Sequence, residues 1–79
     1  MLIRKSAAKA LRKMPQAIAR RFFDAFDIIE KGETSGLDIK PLVGRKGYLR
    51  LRIGGYRAIY TCDMELIIIH AGPRGDVYK

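Results

Sequence analysis

The stretch Tyr48-Leu49-Arg50-Leu51-Arg52-Ile53-Gly54-Gly55-Tyr56-Arg57-Ala58-Ile59-Tyr60 decides the fold. Polar and apolar residues alternate on both sides of a Gly-Gly pair, the pattern of two strands joined by a tight hairpin. With Gly54 and Gly55 as the loop, Ile53 pairs with Tyr56, Arg52 with Arg57, Leu51 with Ala58, Arg50 with Ile59 and Leu49 with Tyr60, and Tyr48 meets Thr61. Side chains alternate across a pleated strand. Leu49, Leu51, Ile53, Tyr56, Ala58 and Tyr60 therefore share an apolar face, and Tyr48, Arg50, Arg52, Arg57, Ile59 and Thr61 share the other. Arg52 opposite Arg57 is a like-charge pair, which costs roughly 0.2–1 kcal/mol. Retaining it points to use on an anion. All three charges are arginines, whose planar fork matches phosphate oxygens two at a time and stacks on bases, so nucleic acid is the natural ligand.

Composition agrees. Seventy-nine residues make one domain, residues 1–79, near the lower size at which one apolar core suffices. Sixteen Lys and Arg against eight Asp and Glu leave a net charge of +8, a field that favours polyanions or an acidic protein partner. The single cysteine, Cys62, precludes an internal disulfide and is expected as a buried core thiol. A reducing cytoplasm fits that usage. The basic start Met1-Leu2-Ile3-Arg4-Lys5 is followed by no apolar run, and Leu66 to Ile69 is too short for a membrane span. No internal repeat or low-complexity segment occurs.

Along the chain the pattern predicts a short strand, two helices and then a sheet, an α+β class. Leu2 to Arg4 reads as a first strand, and Ser6 as the N-cap of a helix through Lys13. Pro15 opens a second helix over Gln16 to Lys31, whose Ile18, Phe22, Ala25, Phe26 and Ile29 form one buried stripe, with Gly32 as its C-cap signal. Four glycines and Pro41 between Gly32 and Gly47 mark a connection holding a short strand around Lys40 to Val43. After the hairpin, Asp63, Met64 and Glu65 form a turn into a central strand over Leu66 to His70. A two-residue loop at Asp63-Met64 would pair Cys62 with Glu65, Ile59 with Ile68 and Arg57 with His70, placing His70 on the basic face. A three-residue loop would instead send it to the core side. The tail Gly72-Pro73-Arg74-Gly75-Asp76-Val77-Tyr78-Lys79 sets Arg74 in turn chemistry. Folded back beside the sheet, it would bring Arg74 to a phosphate and Tyr78 to a base.

The order of a helix pair, then Leu42, Gly44, Tyr48, Arg50, Leu51, Arg52, Gly55, Tyr56, Arg57 and Tyr60, then Gly72, Arg74, Val77 and Tyr78, resembles the RelE toxins of the RelE/ParE toxin-antitoxin superfamily. The likeness spans nearly the whole chain, including Lys9, Leu11 and Met14-Pro15. It implies two N-terminal helices packed on a curved antiparallel sheet. It further implies ribosome-dependent cleavage of messenger RNA in the ribosomal A site, without metal or cofactor. The implied partners are a cognate acidic antitoxin, messenger RNA and ribosomal RNA, with the toxin-antitoxin complex binding operator DNA through the antitoxin and no membrane involved. By the same likeness Arg57 matches the arginine at the scissile phosphate, Arg74 the arginine of the late turn and Tyr78 the C-terminal tyrosine. Arg50 stands where the second of two catalytic lysines is found, and Tyr48 replaces the first. Arg52 holds a basic position, and Arg45 and Lys46 join it and Tyr48 as expected RNA or phosphate contacts.

The implied chemistry is transesterification. The RNA 2′-hydroxyl attacks the adjacent phosphorus and the P–O5′ bond breaks, leaving a 2′,3′-cyclic phosphate and a 5′-hydroxyl. Negative charge grows on the non-bridging oxygens, where arginines fixed on a sheet lower the barrier. A base and an acid are also needed, and Arg50 is a poor base because arginine scarcely yields its proton. Tyr48, Tyr78 and His70 stay open as candidates. Two other readings remain: a ParE-like inhibitor of DNA gyrase, which the Tyr48 departure favours, and an RNA-binding module without chemistry. The nuclease alone loses turnover when Arg57 or Arg74 is removed.

Overall fold

The computed structural model describes residues 1–73. A two-residue strand β1 (Leu2–Ile3) leads into helices α1 (Lys5–Lys13) and α2 (Gln16–Glu30), a 3-10 turn at Thr34–Gly36, and strands β2 (Asp38–Pro41), β3 (Leu49–Ile53), β4 (Tyr56–Cys62) and β5 (Leu66–Pro73). The strands form one sheet in the order β1-β5-β4-β3-β2. The expected α+β fold is present, with one correction: the sheet is mixed. β1 runs parallel to β5, Leu2 beside Ile67 and Ile3 beside Ile68, while every other pair is antiparallel.

The central hairpin has the register its alternation dictates, including Arg52 opposite Arg57 and Leu49 opposite Tyr60. Gly54 takes φ 59 and is the one glycine of this turn with positive φ. That is the arrangement of a II′ turn, whose twist matches the flanking strands.

Helix α2 buries Phe22, Ala25, Phe26 and Ile29, and α1 buries Ala7 and Leu11. These pack with Met14 against Leu51, Ile53, Ala58, Tyr60, Leu66 and Ile68 on the apolar face of the sheet. Phe22 and Phe26 are fully enclosed and stack at 6.1 Å between centroids. Each contributes about 1.5–3 kcal/mol by burial. Helix α2 ends in paired bonds, Glu33 N–H to the Ile28 carbonyl at 3.2 Å and Gly32 N–H to the Ile29 carbonyl at 3.0 Å. Gly32 at φ 78 makes that reversal possible.

Several local expectations are corrected. Ser6 is not the cap of α1: Arg4, in extended conformation, holds that place without a side-chain cap bond, because its N–H still bonds the Ile68 carbonyl at 3.0 Å. β1 ends at Ile3, α2 at Glu30, and β2 lies two residues earlier than the Lys40 to Val43 reading. Leu42 to Tyr48 are instead consumed by two successive turns, Arg45 N–H to Leu42 carbonyl and Tyr48 N–H to Arg45 carbonyl. Gly44 and Gly47 supply the positive φ at the third position of each. Cys62 is exposed, not a core thiol. Its alternation points it to the core side, but it is the last residue of β4.

Candidate functional site

On the sheet face away from the helices, the registers stack side chains in rows. Asp38, Arg52, Arg57 and Gly72 form one row across β2, β3, β4 and β5. Lys40, Arg50, Ile59 and His70 form the next. Tyr48, one residue before β3, reaches the same side by alternation, as does Thr61, which pairs with Ile67. Residues opposite one another lie about 5 Å apart at Cβ, and successive rows about 7 Å apart along the strands. The three sheet arginines therefore sit within the span of one or two nucleotides.

His70 reaches this face by a route the spacing did not reveal. The β4–β5 loop has three residues, so Cys62 pairs with Leu66, Thr61 with Ile67 and Tyr60 with Ile68. That loop alone would turn His70 to the core. A bulge beside Ile59 and Tyr60 then inserts Ile69 as an extra residue, and parity flips back. His70 consequently faces Ile59, not Arg57, and Arg57 faces Gly72. His70 is exposed. β5 continues past His70 to Pro73.

The arginines differ in setting. Arg50 is 8% exposed and donates from Nη2 to Asp38 Oδ1 at 2.8 Å. Its Nε is buried without a hydrogen-bond partner among the described residues. Arg52 is half-buried and reaches the Gly54 carbonyl from Nε at 3.5 Å. Arg57 is half-buried beside the nearly enclosed Ile59. The Arg45 guanidinium lies 5.8 Å from the centroid of the Tyr48 ring, a cation–π contact, and Lys46 is exposed on the same loop. Lys46, Gly47, Thr61, Cys62 and Asp63 border a depression of about 380 Å³. Asp38 was not foreseen as part of this face. Its signal was the alternation Leu37, Asp38, Ile39, Lys40, legible only once β2 is started at Asp38. Arg74 and Tyr78, expected to complete the site, lie outside the described residues.

Behind the sheet, burial pushes the Tyr60 phenol up to about 12, with the nearby Cys62 thiolate adding to the shift. Tyr60 is therefore a neutral core side chain and no acid-base participant near pH 7. A groove of about 530 Å³ on the helix side, lined by Ile3, Leu11, Met14, Ala19 and Phe23 among others, lies on the opposite surface from the arginines. No cluster of three or more His, Cys, Asp or Glu able to hold a metal ion occurs among the described residues. No helix among them is long and apolar enough to cross a membrane.

A mixed five-stranded sheet backed by two N-terminal helices is the fold of the RelE toxins, within the RelE/ParE class. The family model described as ParE toxin of the type II toxin-antitoxin system, parDE, matches residues 1–78, and the chain belongs to that family. Among solved structures, a chain of the RelB-RelE antitoxin-toxin complex from Methanococcus jannaschii aligns with TM-score 0.84 and 25% identity over 99% of this chain and 95% of that one. A chain of the RelE-RelB complex from Pyrococcus horikoshii OT3 aligns with TM-score 0.75 and 34% identity, covering 94% and 92%. The isolated Escherichia coli RelE toxin shares the fold at TM-score 0.70 and 19% identity, covering 98% of this chain and 87% of that one. No curated protein sequence matches the chain. This is a RelE-like toxin of a type II toxin-antitoxin system.

Proposed function

We propose that this toxin is a metal-independent endoribonuclease that cuts messenger RNA in the ribosomal A site and so arrests translation in the cytoplasm. The observation that carries this reading is the row in which Arg52 directly faces Arg57 on the open sheet face, one row from Arg50. A like-charge pair of this kind is unfavourable in the free protein and favourable around a phosphate. Arg57, with Arg74 from the tail, would take the charge that develops on the non-bridging oxygens as the 2′-hydroxyl attacks. Arg50 adds fixed positive charge from the next row. Tyr78 would stack on a base or move a proton, and His70 and Tyr48 are the other candidates for moving it. Arg52, Arg45 and Lys46 would hold the RNA backbone on either side of the cut.

The relatives from Methanococcus, Pyrococcus and Mycobacterium are crystallised as toxin-antitoxin complexes. A cognate antitoxin with acidic segments is accordingly the proposed protein partner, complementary to the charge of +8. Messenger and ribosomal RNA are the proposed nucleic-acid partners, and operator DNA is to be bound by the complex through the antitoxin.

The test is addition of purified protein to translating ribosomes paused with a defined codon in the A site, followed by primer extension. New ends within that codon, dependent on ribosomes, are expected. Arg57→Ala should reduce their rate by about 10²–10³ while leaving the thermal melt unchanged. Intact message under these conditions would refute the reading. A second reading is supported by the ParE family description and by tyrosine at position 48: the same scaffold would inhibit DNA gyrase as a binding protein. A DNA supercoiling assay separates the two.

A further inference from the structure

Among the described residues the carboxylate in the arginine rows is Asp38, on the edge strand β2. It lies opposite Arg52 and diagonal to Arg50, and the diagonal contact is the one that forms: Arg50 Nη2 to Asp38 Oδ1 at 2.8 Å. The Arg50 side chain is 10% exposed and that of Asp38 is 50% exposed. The guanidinium is thus drawn toward the sheet edge, away from β4, where Arg57 stands. It is laid against the sheet with Nε enclosed. A phosphate is the same kind of ligand as this carboxylate, a planar or tetrahedral anion that accepts two guanidinium bonds. Asp38 therefore occupies, from within the chain, a guanidinium bond that Arg50 would otherwise offer to RNA.

We propose that Asp38 is a specificity-determining residue: by holding Arg50 it withholds that guanidinium from loosely bound RNA. The inference rests on the reading of this face as an RNA site. A chain of charge +8 attracts any single strand it meets, and a toxin that acts on one codon gains from not being titrated by bulk RNA. Exchange of carboxylate for phosphate at Arg50 requires breaking the 2.8 Å pair. An RNA strand pressed onto the face by a larger assembly can drive that exchange, and a loosely bound free strand does so poorly. Lys40, opposite Arg50 on the same strand as Asp38, is exposed and makes no comparable bond among the described residues.

The experiment measures binding of a short oligouridylate as a function of salt for the wild type, Asp38→Asn, Arg50→Gln and the double variant. At low salt the net charge guarantees measurable binding in every case. Releasing Arg50 adds one phosphate contact, so Asp38→Asn should bind up to about fivefold tighter at low salt, with the slope of log K against log salt steeper by about 0.7. In the Arg50→Gln background the same change should leave the slope where it was. Unchanged or weaker binding in Asp38→Asn overturns the proposal. An equal gain in both backgrounds also overturns it, since Asp38 would then act as a bare charge and not through Arg50. Thermal melts establish folding, and Asp38→Ser replaces Asp38→Asn if the amide variant fails to fold. Ribosome cleavage by the wild type is scored separately. Its absence removes the nuclease reading, while the oligonucleotide slopes still decide the role of Asp38.

Discussion

Tyr60→Phe offers a test of the packing that supports the arginine face. Tyr60 is 1% exposed, and its phenol is pushed up from 10.0 to about 12, first by burial and then by the Cys62 thiolate. The folded chain therefore keeps the proton that the unfolded chain releases. The stability tied to this group is fully present below pH 10 and is lost as pH rises through 12. At pH 11 the unfolded phenol is ionised about ten to one and the folded phenol is protonated about ten to one, so the wild type loses about 1.4 kcal/mol relative to neutral pH. Phenylalanine has no proton to lose. Urea unfolding of both proteins at pH 8 and pH 11 isolates the effect as a difference of differences, in which the other tyrosines and the lysines cancel. The gap between Tyr60→Phe and wild type should shift by about 1.4 kcal/mol in favour of the variant. A shift of zero, or in favour of the wild type, would refute the assignment of Tyr60 as a neutral core residue.

The central turn predicts opposite outcomes for neighbouring glycines. Nothing lies within 4 Å of a Cβ built at either, but Gly54 has φ +59, so Gly54→Ala should destabilise by about 1–2 kcal/mol, whereas Gly55→Ala should be neutral or stabilise by up to about 1 kcal/mol. Thermal melts of the two variants decide this, and equal effects would contradict a II′ turn. Cys62 should react with a thiol reagent in native buffer about as fast as in urea, because it is exposed. Protection until unfolding would restore the core reading.

What the sequence made legible were the local, strongly periodic parts. The hairpin register followed from strict alternation around Gly54-Gly55, and the α2 stripe from Ile18 to Ile29 followed from helical spacing. These features need no distant partner to define them. The strands that escaped are those whose limits are set across the sheet. β2 begins at Asp38 because Asp38 to Pro41 find β3 partners from Arg52 to Leu49, not because Asp38 favours a strand. β1 is held by the non-local pairing of Leu2 and Ile3 with β5. His70 is the instructive case. A three-residue loop and a one-residue bulge each reverse the facing of every later side chain, and together they cancel. Placing it by loop length alone would succeed only by two compensating errors. The candidate site followed the same division: Arg50, Arg52 and Arg57 were visible from alternation, whereas Asp38 depended on a strand boundary that propensity does not reveal.

Because Leu2 and Ile3 lie beside Ile67 and Ile68, β1 docks on β5, a strand from the far part of the sequence. Every arginine row also needs β5 at its flank to be complete. During synthesis helices α1 and α2 can form early, but their apolar faces lack the finished sheet until β5 has been made. Such distant pairings also place the chain among slower folders. Until β5 is added, a growing polypeptide has no complete arginine face. For a protein made on the machine proposed as its target, that order of assembly keeps the earlier strands harmless while β5 is still to come.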